Sequence, residues 1–198
     1  MFEVNSLNNS APYIKFKHYL NKGLKNNQNN MDAILIASYD KFSNEVDARY
    51  VNLKYINNDK WIFFTNYNSP KSQQIINHDQ ISAVIYWPIV NVQIRMKAVI
   101  KKTSKEISEN HFKKRAREKN AIAISSNQSS KIESYELVEK NYKDVLISQN
   151  LELCPDFWGG YEFTPYYIEF WEGSANRLNK RELFIFNDDC WNKYILQP

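Results

Sequence analysis

The stretch 157–181, FWGGYEFTPYYIEFWEGSANRLNKR, constrains this chain more than any other, because it joins a glycine pair, a dense run of aromatics and a polar, cationic end. Gly159-Gly160 predicts a turn where a side chain would clash, and the aromatic residues 161–171 predict a strand fed by that turn. Gly173 predicts a second turn. Beyond it Arg177, Asn179 and Arg181 recur at a spacing of two, which in extended chain places all three on one face. Two guanidiniums and an amide on one face suit an anionic ligand. The window alone fits an ordinary C-terminal strand pair with exposed arginines equally well.

At 198 residues, 43% of them hydrophobic and 15% aromatic, the chain has the material for one domain with a substantial core. No apolar run nears the roughly 20 residues of a membrane span, and the polar start MFEVNSLNNS is unlike a signal peptide, so a soluble, cytoplasmic protein without membrane partners is expected. Cys154 and Cys190 are the only cysteines; two distant thiols make no zinc site by themselves, and buried free thiols with no metal are expected. A net charge of +4, with 22 acidic residues interspersed, favours small anionic ligands no less than nucleic acid.

Tyr13, Phe16, Tyr19, Leu20 and Leu24 form a helical stripe within 11–28, and KNNQNN follows as a polar linker. Residues 1–30 are accordingly read as an N-terminal helix and linker, and 31–198 as the main domain. Strands are predicted at 33–39, 48–56 and 61–65 as an antiparallel meander, the last two separated by Asn57-Asn58-Asp59. Ser69-Pro70-Lys71 reads as a helix start, with Ser69 as N-cap, Pro70 at the first position and free N–H groups that suit an anion. A strand at 81–87 is closed by Pro88. In 90–100, Val92, Ile94, Met96, Ala98 and Ile100 alternate with Gln93, Arg95, Lys97 and Val99, which predicts one core face and one largely polar face. Thr103 with Glu106 is a capping-box pattern opening a helix to about 118, and Ser130 with Glu133 opens another through 145. The polar loop 125–130 between them is either solvent-exposed or a set of ligand donors and acceptors. Strands at 183–186 and 191–196 flank a turn at Asn187-Asp188-Asp189. Six or more strands with few helices predict a mainly β small barrel with helical attachments.

No H-E-x-x-H, G-x-S-x-G, P-loop or G-x-G-x-x-G is present, which removes the usual support for metalloprotease, serine hydrolase, nucleoside-triphosphatase and Rossmann chemistry. His18, His78 and His111 are scattered and read as surface or packing residues. The basic run 113–119 lacks stacking aromatics and is interrupted by Glu118, so it reads as a solvated helix end and no nucleic-acid partner is expected. What remains is a set of anion-binding pieces: Arg49, Lys54, the Ser69 helix start with Lys71, Arg115, Lys119, Arg177 and Arg181. They point to a phosphorylated small molecule.

Six ordered blocks, RYVNLK (49–54), FFTNYNSPK (63–71), QIRMKA (93–98), HFKKRAREKN (111–120), NQSS (127–130) and FWGG through RLNKR (157–181), resemble the pyridoxamine 5'-phosphate oxidase family. The resemblance implies a single-domain FMN-binding split β-barrel that works as a homodimer through a C-terminal dimerisation region. It implies FMN held by Arg49, Val51, Lys54, Phe64, Thr65, Ser69, Lys71, Gln93, Gln128, Ser129, Trp171 and Arg181. It assigns the substrate to Lys54, His111, Arg115, Lys119, Arg177 and Asn179, with Arg177 and Asn179 at the reacting end. The implied reaction oxidises pyridoxamine or pyridoxine 5'-phosphate to pyridoxal 5'-phosphate while dioxygen becomes hydrogen peroxide, a step of vitamin B6 metabolism.

Several positions depart from the family's pattern: Pro70 stands for an arginine, His111 for a tyrosine, Ala116 for a proline, Lys119 for a serine and Asn179 for a histidine. A weaker grip on FMN is expected from Pro70, since one charged hydrogen bond is worth ~1.5–3 kcal/mol. Asn179 hydrogen-bonds but carries no proton charge. Arg49 and Lys54, five apart, lie on opposite faces of an uninterrupted strand, so they share a site only through a bulge, a strand end or a second subunit. Two other readings stay open: a split-barrel FMN oxidase diverted to another substrate, as in phenazine biosynthesis, and a non-catalytic flavin- or haem-binding module.

Overall fold

The computed structural model describes residues 2–198. The elements in chain order are β1 (Glu3–Leu7), α1 (Ala11–Lys25), β2 (Ala33–Asp40), β3 (Glu45–Asn58), β4 (Lys60–Asn66), α2 (Pro70–Asn77), β5 (Gln80–Trp87), β6 (Val92–Lys102), α3 (Lys105–Lys114), α4 (Arg117–Ser125), α5 (Tyr135–Ser148), β7 (Trp158–Glu172), β8 (Lys180–Asn187) and β9 (Cys190–Leu196). The sheet runs β1-β3-β2-β5-β6-β7-β8-β9, and β4 pairs with both β3 and β7. That double pairing closes β3, β2, β5, β6, β7 and β4 into an antiparallel ring, with β8 and β9 continuing from β7 and β1 added in parallel to β3. The ring is split: β2 covers β3 from Glu45 to Asn52, whereas β4 joins it only from Leu53 onward. The protein is therefore a mainly β split barrel with helical attachments.

The period-two pattern builds the barrel wall as expected, with Val92, Ile94, Met96, Ala98 and Ile100 of β6 buried beside Ile81, Ala83, Ile85 and Trp87 of β5. Each of the larger aliphatic side chains removed from water contributes roughly 1.5–3 kcal/mol. Helix α1 delivers Tyr13, Phe16 and Tyr19 to the same core, where the Phe16 ring meets Trp61 at 4.7 Å and Trp87 at 5.9 Å. Its stripe stops a turn early, because Leu24 is exposed.

Ion pairs fasten α1 to the C-terminal strands. Buried Glu182 of β8 is ringed by Lys15 of α1, Lys180 at 3.3 Å and Lys193 at 3.3 Å. Burial alone would raise its pKa, but the three ammoniums outweigh burial and hold it at about 2. A depressed carboxylate pKa stabilises the fold fully above its ordinary value and loses that contribution as pH falls through the folded value. Glu182→Gln is thus expected to cost on the order of 2–3 kcal/mol at pH 7. Denaturant unfolding should show the gap to wild type narrowing from about pH 4.5 toward 2; a gap independent of pH would overturn the assignment.

The structure revises several local expectations. Gly159 and Gly160 lie inside β7 and make no turn, and no glycine has positive φ. They are needed for close approach: a Cβ on Gly160 would come within 2.7 Å of the Thr103 hydroxyl, and one on Gly159 would overlap the Tyr67 hydroxyl. Gly173 likewise yields to the Asn91 side chain. The helix expected from Thr103 to 118 is two helices, because Arg115 and Ala116 are extended at ψ 153 and 141. Ser104, not Thr103, caps α3 by accepting from the Ile107 N–H, while Thr103 reaches the Gly160 carbonyl. The last helix starts later and is capped by Ser134 instead of Ser130. The loop expected at 125–130 begins one residue further on, since α4 runs through Ser125. Ser69 precedes α2 but makes no side-chain cap; its hydroxyl donates to the Asn66 carbonyl. Strand β1 was not expected, as EVNSL shows no apolar alternation. Neither thiol is fully buried: Cys190 is exposed and Cys154 half-buried, with burial pushing its pKa up to about 11.

Candidate functional site

A cleft of about 590 Å³ opens where β3 parts from β4. Its lining includes Arg49, Val51 and Lys54 of β3, Phe64 and Thr65 of β4, Lys71 of α2, His111, Arg115 and Lys119 around the α3–α4 break, and Gln128, Ser129 and Trp158. The convergence of Arg49 and Lys54 has a local cause. The β3–β4 register slips between Leu53 and Tyr55, and that irregularity brings Lys54 into the cleft that Arg49 lines.

Five lysines and arginines line the cleft and no carboxylate does. Arg49 is held by Ser38 at 2.5 Å, Gln74 at 3.2 Å and Asp47. Lys71 is buried, and its ammonium donates only to neutral oxygens: Thr65 Oγ1 at 3.0 Å, Ser69 Oγ at 3.0 Å and Gln128 Oε1 at 3.2 Å. Burial, and then the charge of Arg49, lower its pKa to about 8. Ser69 therefore serves the cleft indirectly, through Lys71. Gln128 Oε1 also accepts from Thr65 at 2.9 Å, which ties the 126–130 loop to β4.

On the opposite wall Arg115 stacks its guanidinium over Trp158 at 4.5 Å and donates from Nη2 to the Lys119 carbonyl at 2.9 Å. Its Nη1 is buried with no hydrogen-bond partner. Arg115 and Lys119 face one cleft across the helix break and are not one turn apart on a single helix. His111 lies flat on Phe64, with centroids 3.8 Å apart and an interplanar angle of 11°. Burial and the nearby cations Arg115, Lys54 and Lys114 lower its pKa to about 4, so the imidazole is neutral at pH 7. A buried ammonium with only neutral partners, an orphaned guanidinium nitrogen and a lining without acids are short of negative charge. An anionic ligand would supply it.

A second group of expected residues lies elsewhere. Gln93, Trp171 and Arg181 sit side by side in one row across β6, β7 and β8. None of them, nor Arg177 or Asn179, lines the cleft of this chain. Arg177, Asn179 and Arg181 do not share a face. Arg177 adopts φ 61 in the turn between β7 and β8, and the Asn179 side chain accepts from the Ser174 N–H at 3.1 Å, so only Arg181 continues in a strand. The Arg181 guanidinium is engaged by buried Glu169, from Nε at 2.8 Å and Nη2 at 2.7 Å, and by the Gln197 carbonyl at 2.9 Å. Glu169 also pairs with Arg95 at 3.3 Å.

Sequence reasoning passed over Trp158, Asn52 and Asn66, which line the cleft although each lies within or beside a quoted block. It also missed Tyr55, whose hydroxyl lies 2.8 Å from His111 Nδ1; no local pattern signals that contact. Among the described residues no helix is long and apolar enough to cross a membrane.

Residues 158–198 match the pyridoxine 5'-phosphate oxidase C-terminal dimerisation region. The chain is 31% identical over 191 residues to pyridoxine/pyridoxamine 5'-phosphate oxidase 1 of Hydrogenovibrio crunogenus, covering 94% of this chain and 88% of the relative. It is 37% identical over 153 residues to the oxidase of Leptospira biflexa, covering 76% and 72%. Among solved structures, PhzG from Burkholderia lata, in complex with tetrahydrophenazine-1-carboxylic acid, superposes with a TM-score of 0.87 at 21% identity, covering 96% of this chain and 93% of that one. A pyridoxamine 5'-phosphate oxidase-related FMN-binding protein from Nostoc punctiforme superposes with a TM-score of 0.76 at 13% identity, covering 92% and 97%. At those identities the two structures speak for the fold.

Proposed function

The chain belongs to the pyridoxine/pyridoxamine 5'-phosphate oxidase family, and from that premise we propose that it oxidises pyridoxine or pyridoxamine 5'-phosphate to pyridoxal 5'-phosphate with FMN as cofactor and dioxygen as final electron acceptor. The observation that carries this reading is the cation-rich cleft without acids, above all buried Lys71 without an acidic partner and the orphaned Nη1 of Arg115. They mark two places for phosphoryl groups in one cleft, as a phosphorylated cofactor and a phosphorylated substrate require.

Arg49, Lys71, Thr65 and Gln128 would hold the cofactor's phosphate, and Lys54, His111, Arg115 and Lys119 the substrate's. When bound, FMN supplies the two-electron chemistry that the side chains here lack. The residues of the chain bind, orient and exclude water: the Phe64–His111 stack and Trp158 give the cleft a flat apolar wall, and the cations fix the substrate by its anionic end. Neutral His111 donates a hydrogen bond without needing a proton from solvent.

The row Gln93, Trp171 and Arg181, with the Arg177–Asn179 turn beyond it, completes such a site only from a second chain, so we infer a homodimer in which each cleft receives this row from the partner. The dimerisation region matched at 158–198 supports that arrangement. Asn179, where a histidine is expected, favours a second reading, a diverted oxidase acting on a phosphate-free aromatic acid; the five cations weigh against it.

One experiment tests these readings together. Purified protein should release FMN by mass spectrometry, scatter light at about twice 23.5 kDa, and bleach its flavin under nitrogen with pyridoxine or pyridoxamine 5'-phosphate but not with the unphosphorylated vitamers. Recovery of FAD, a monomer holding full flavin, or bleaching only with phosphate-free acids would each sink the corresponding part.

A further inference from the structure

We propose that Tyr55 is a positioning residue for the substrate's anionic group: its hydroxyl donates to Nδ1 of His111 and so holds the imidazole in the tautomer that carries its proton on Nε2, as a donor to the cleft. The inference rests on the functional reading above and extends it to a residue outside the cleft lining. A hydroxyl group at position 111 would rotate to suit its ligand, whereas an imidazole offers either a donor or a lone pair according to its tautomer. A histidine in that place needs a partner to choose.

The geometry supplies one. Tyr55 Oη lies 2.8 Å from Nδ1, and the two rings meet edge to face at 5.3 Å and 89°. Phe64 covers one face of the imidazole at 3.8 Å, and Trp158 lies parallel to it at 6.2 Å, so the ring is held in plane. The register slip between Leu53 and Tyr55 that brings Lys54 into the cleft immediately precedes this tyrosine, which meets α3. The charged groups around the ring are Lys54, Lys114 and Arg115, all cationic; with burial they disfavour an imidazolium. Burial, and then the charge of Glu3, raise the Tyr55 pKa, so the phenol keeps its proton. Among the described residues that proton has no other acceptor and Nε2 has no hydrogen-bond partner. The reverse tautomer would leave the phenolic proton to solvent and turn a lone pair toward an incoming anion.

Nitrogen-15 NMR of ring-labelled histidine in the FMN-loaded wild-type protein at pH 7 tests this without any substitution. His111 should show an unprotonated Nδ1 and a protonated Nε2, and the Nε2 resonance should move on titration with inorganic phosphate or pyridoxine 5'-phosphate. Tyr55→Phe should give a mixture of tautomers and raise KM for pyridoxine 5'-phosphate roughly tenfold, with a smaller change in kcat. His111→Phe keeps a ring on Phe64 and should raise KM at least as much. The double variant should be no worse than His111→Phe alone, because Tyr55 acts through His111. A proton on Nδ1, an imidazolium at pH 7, or fully additive effects of the two substitutions would overturn the proposal. Should the tautomer and phosphate response appear while neither vitamer is oxidised, the oxidase reading falls and the anion-donor role of His111 stands; turnover with the wrong tautomer has the opposite meaning.

Discussion

Arg181→Ala is expected to lower the unfolding free energy by about 3 kcal/mol, whether or not cofactor is present, since removing one partner of a buried ion pair leaves an uncompensated charge. The charge left behind is Glu169, which is 1% exposed and would keep only Arg95 and the Tyr167 hydroxyl as partners. Glu169→Gln introduced into the same variant should return most of the lost stability, because a neutral amide needs no counter-charge. Thermal unfolding of the flavin-free protein measures both. If Arg181→Ala destabilises only the FMN-loaded form, or the second substitution restores nothing, the pairing with Glu169 is not what Arg181 contributes to the fold. The pairing also bears on the cofactor. An arginine whose Nε and Nη2 are taken by Glu169 offers a bound phosphate only its remaining N–H groups, a weaker clamp than a free guanidinium.

Arg115→Ala should raise KM for pyridoxine 5'-phosphate on the order of 100-fold, in keeping with the 2–5 kcal/mol lost when a charged hydrogen-bonding partner is truncated in a desolvated site. Burial lowers the guanidinium's pKa without bringing it a carboxylate, and Nη1 is left free to receive the ligand. On the proposed assignment the contact lies at the substrate's anionic end, away from the reacting carbon, and would hold ground state and transition state alike, so kcat should change far less. Arg115→Lys keeps the charge but loses the planar stack on Trp158 and the bond to the Lys119 carbonyl, so it should recover only part of the loss. Steady-state kinetics on flavin-replete protein decides the matter. An unchanged KM, or a fall confined to kcat, would remove Arg115 from the substrate's anionic end.

The sequence by itself determined the barrel wall and the inventory of cations. Alternation at 92–100 predicts which side of β6 is buried because strand periodicity is a local property: Val92, Ile94 and Met96 point inward whatever their partners are. The blocks around Arg49, Phe64, Lys71, His111 and Gln128 were legible for the same reason, each being short and contiguous, and all five of those residues line the cleft. Tertiary structure decided what each charge is used for. Arg177, Asn179 and Arg181 look equivalent at a spacing of two, yet the left-handed turn at Arg177 and the distant carboxylate of Glu169 give them three different fates. Arg49 and Lys54 conflict by parity, and only the register of β3 against β4 reconciles them. The break after α3 turns Arg115 from a helix-surface residue into a cap facing Trp158. Tyr55 gains a role solely because α3 carries His111 to within 2.8 Å of it. Faces follow from the period of the chain, whereas the Arg181–Glu169 pairing and the Tyr55–His111 hydrogen bond depend on groups 12 and 56 residues away, and the bulge at Lys54 on the register with a neighbouring strand, none of which a single strand's own pattern encodes.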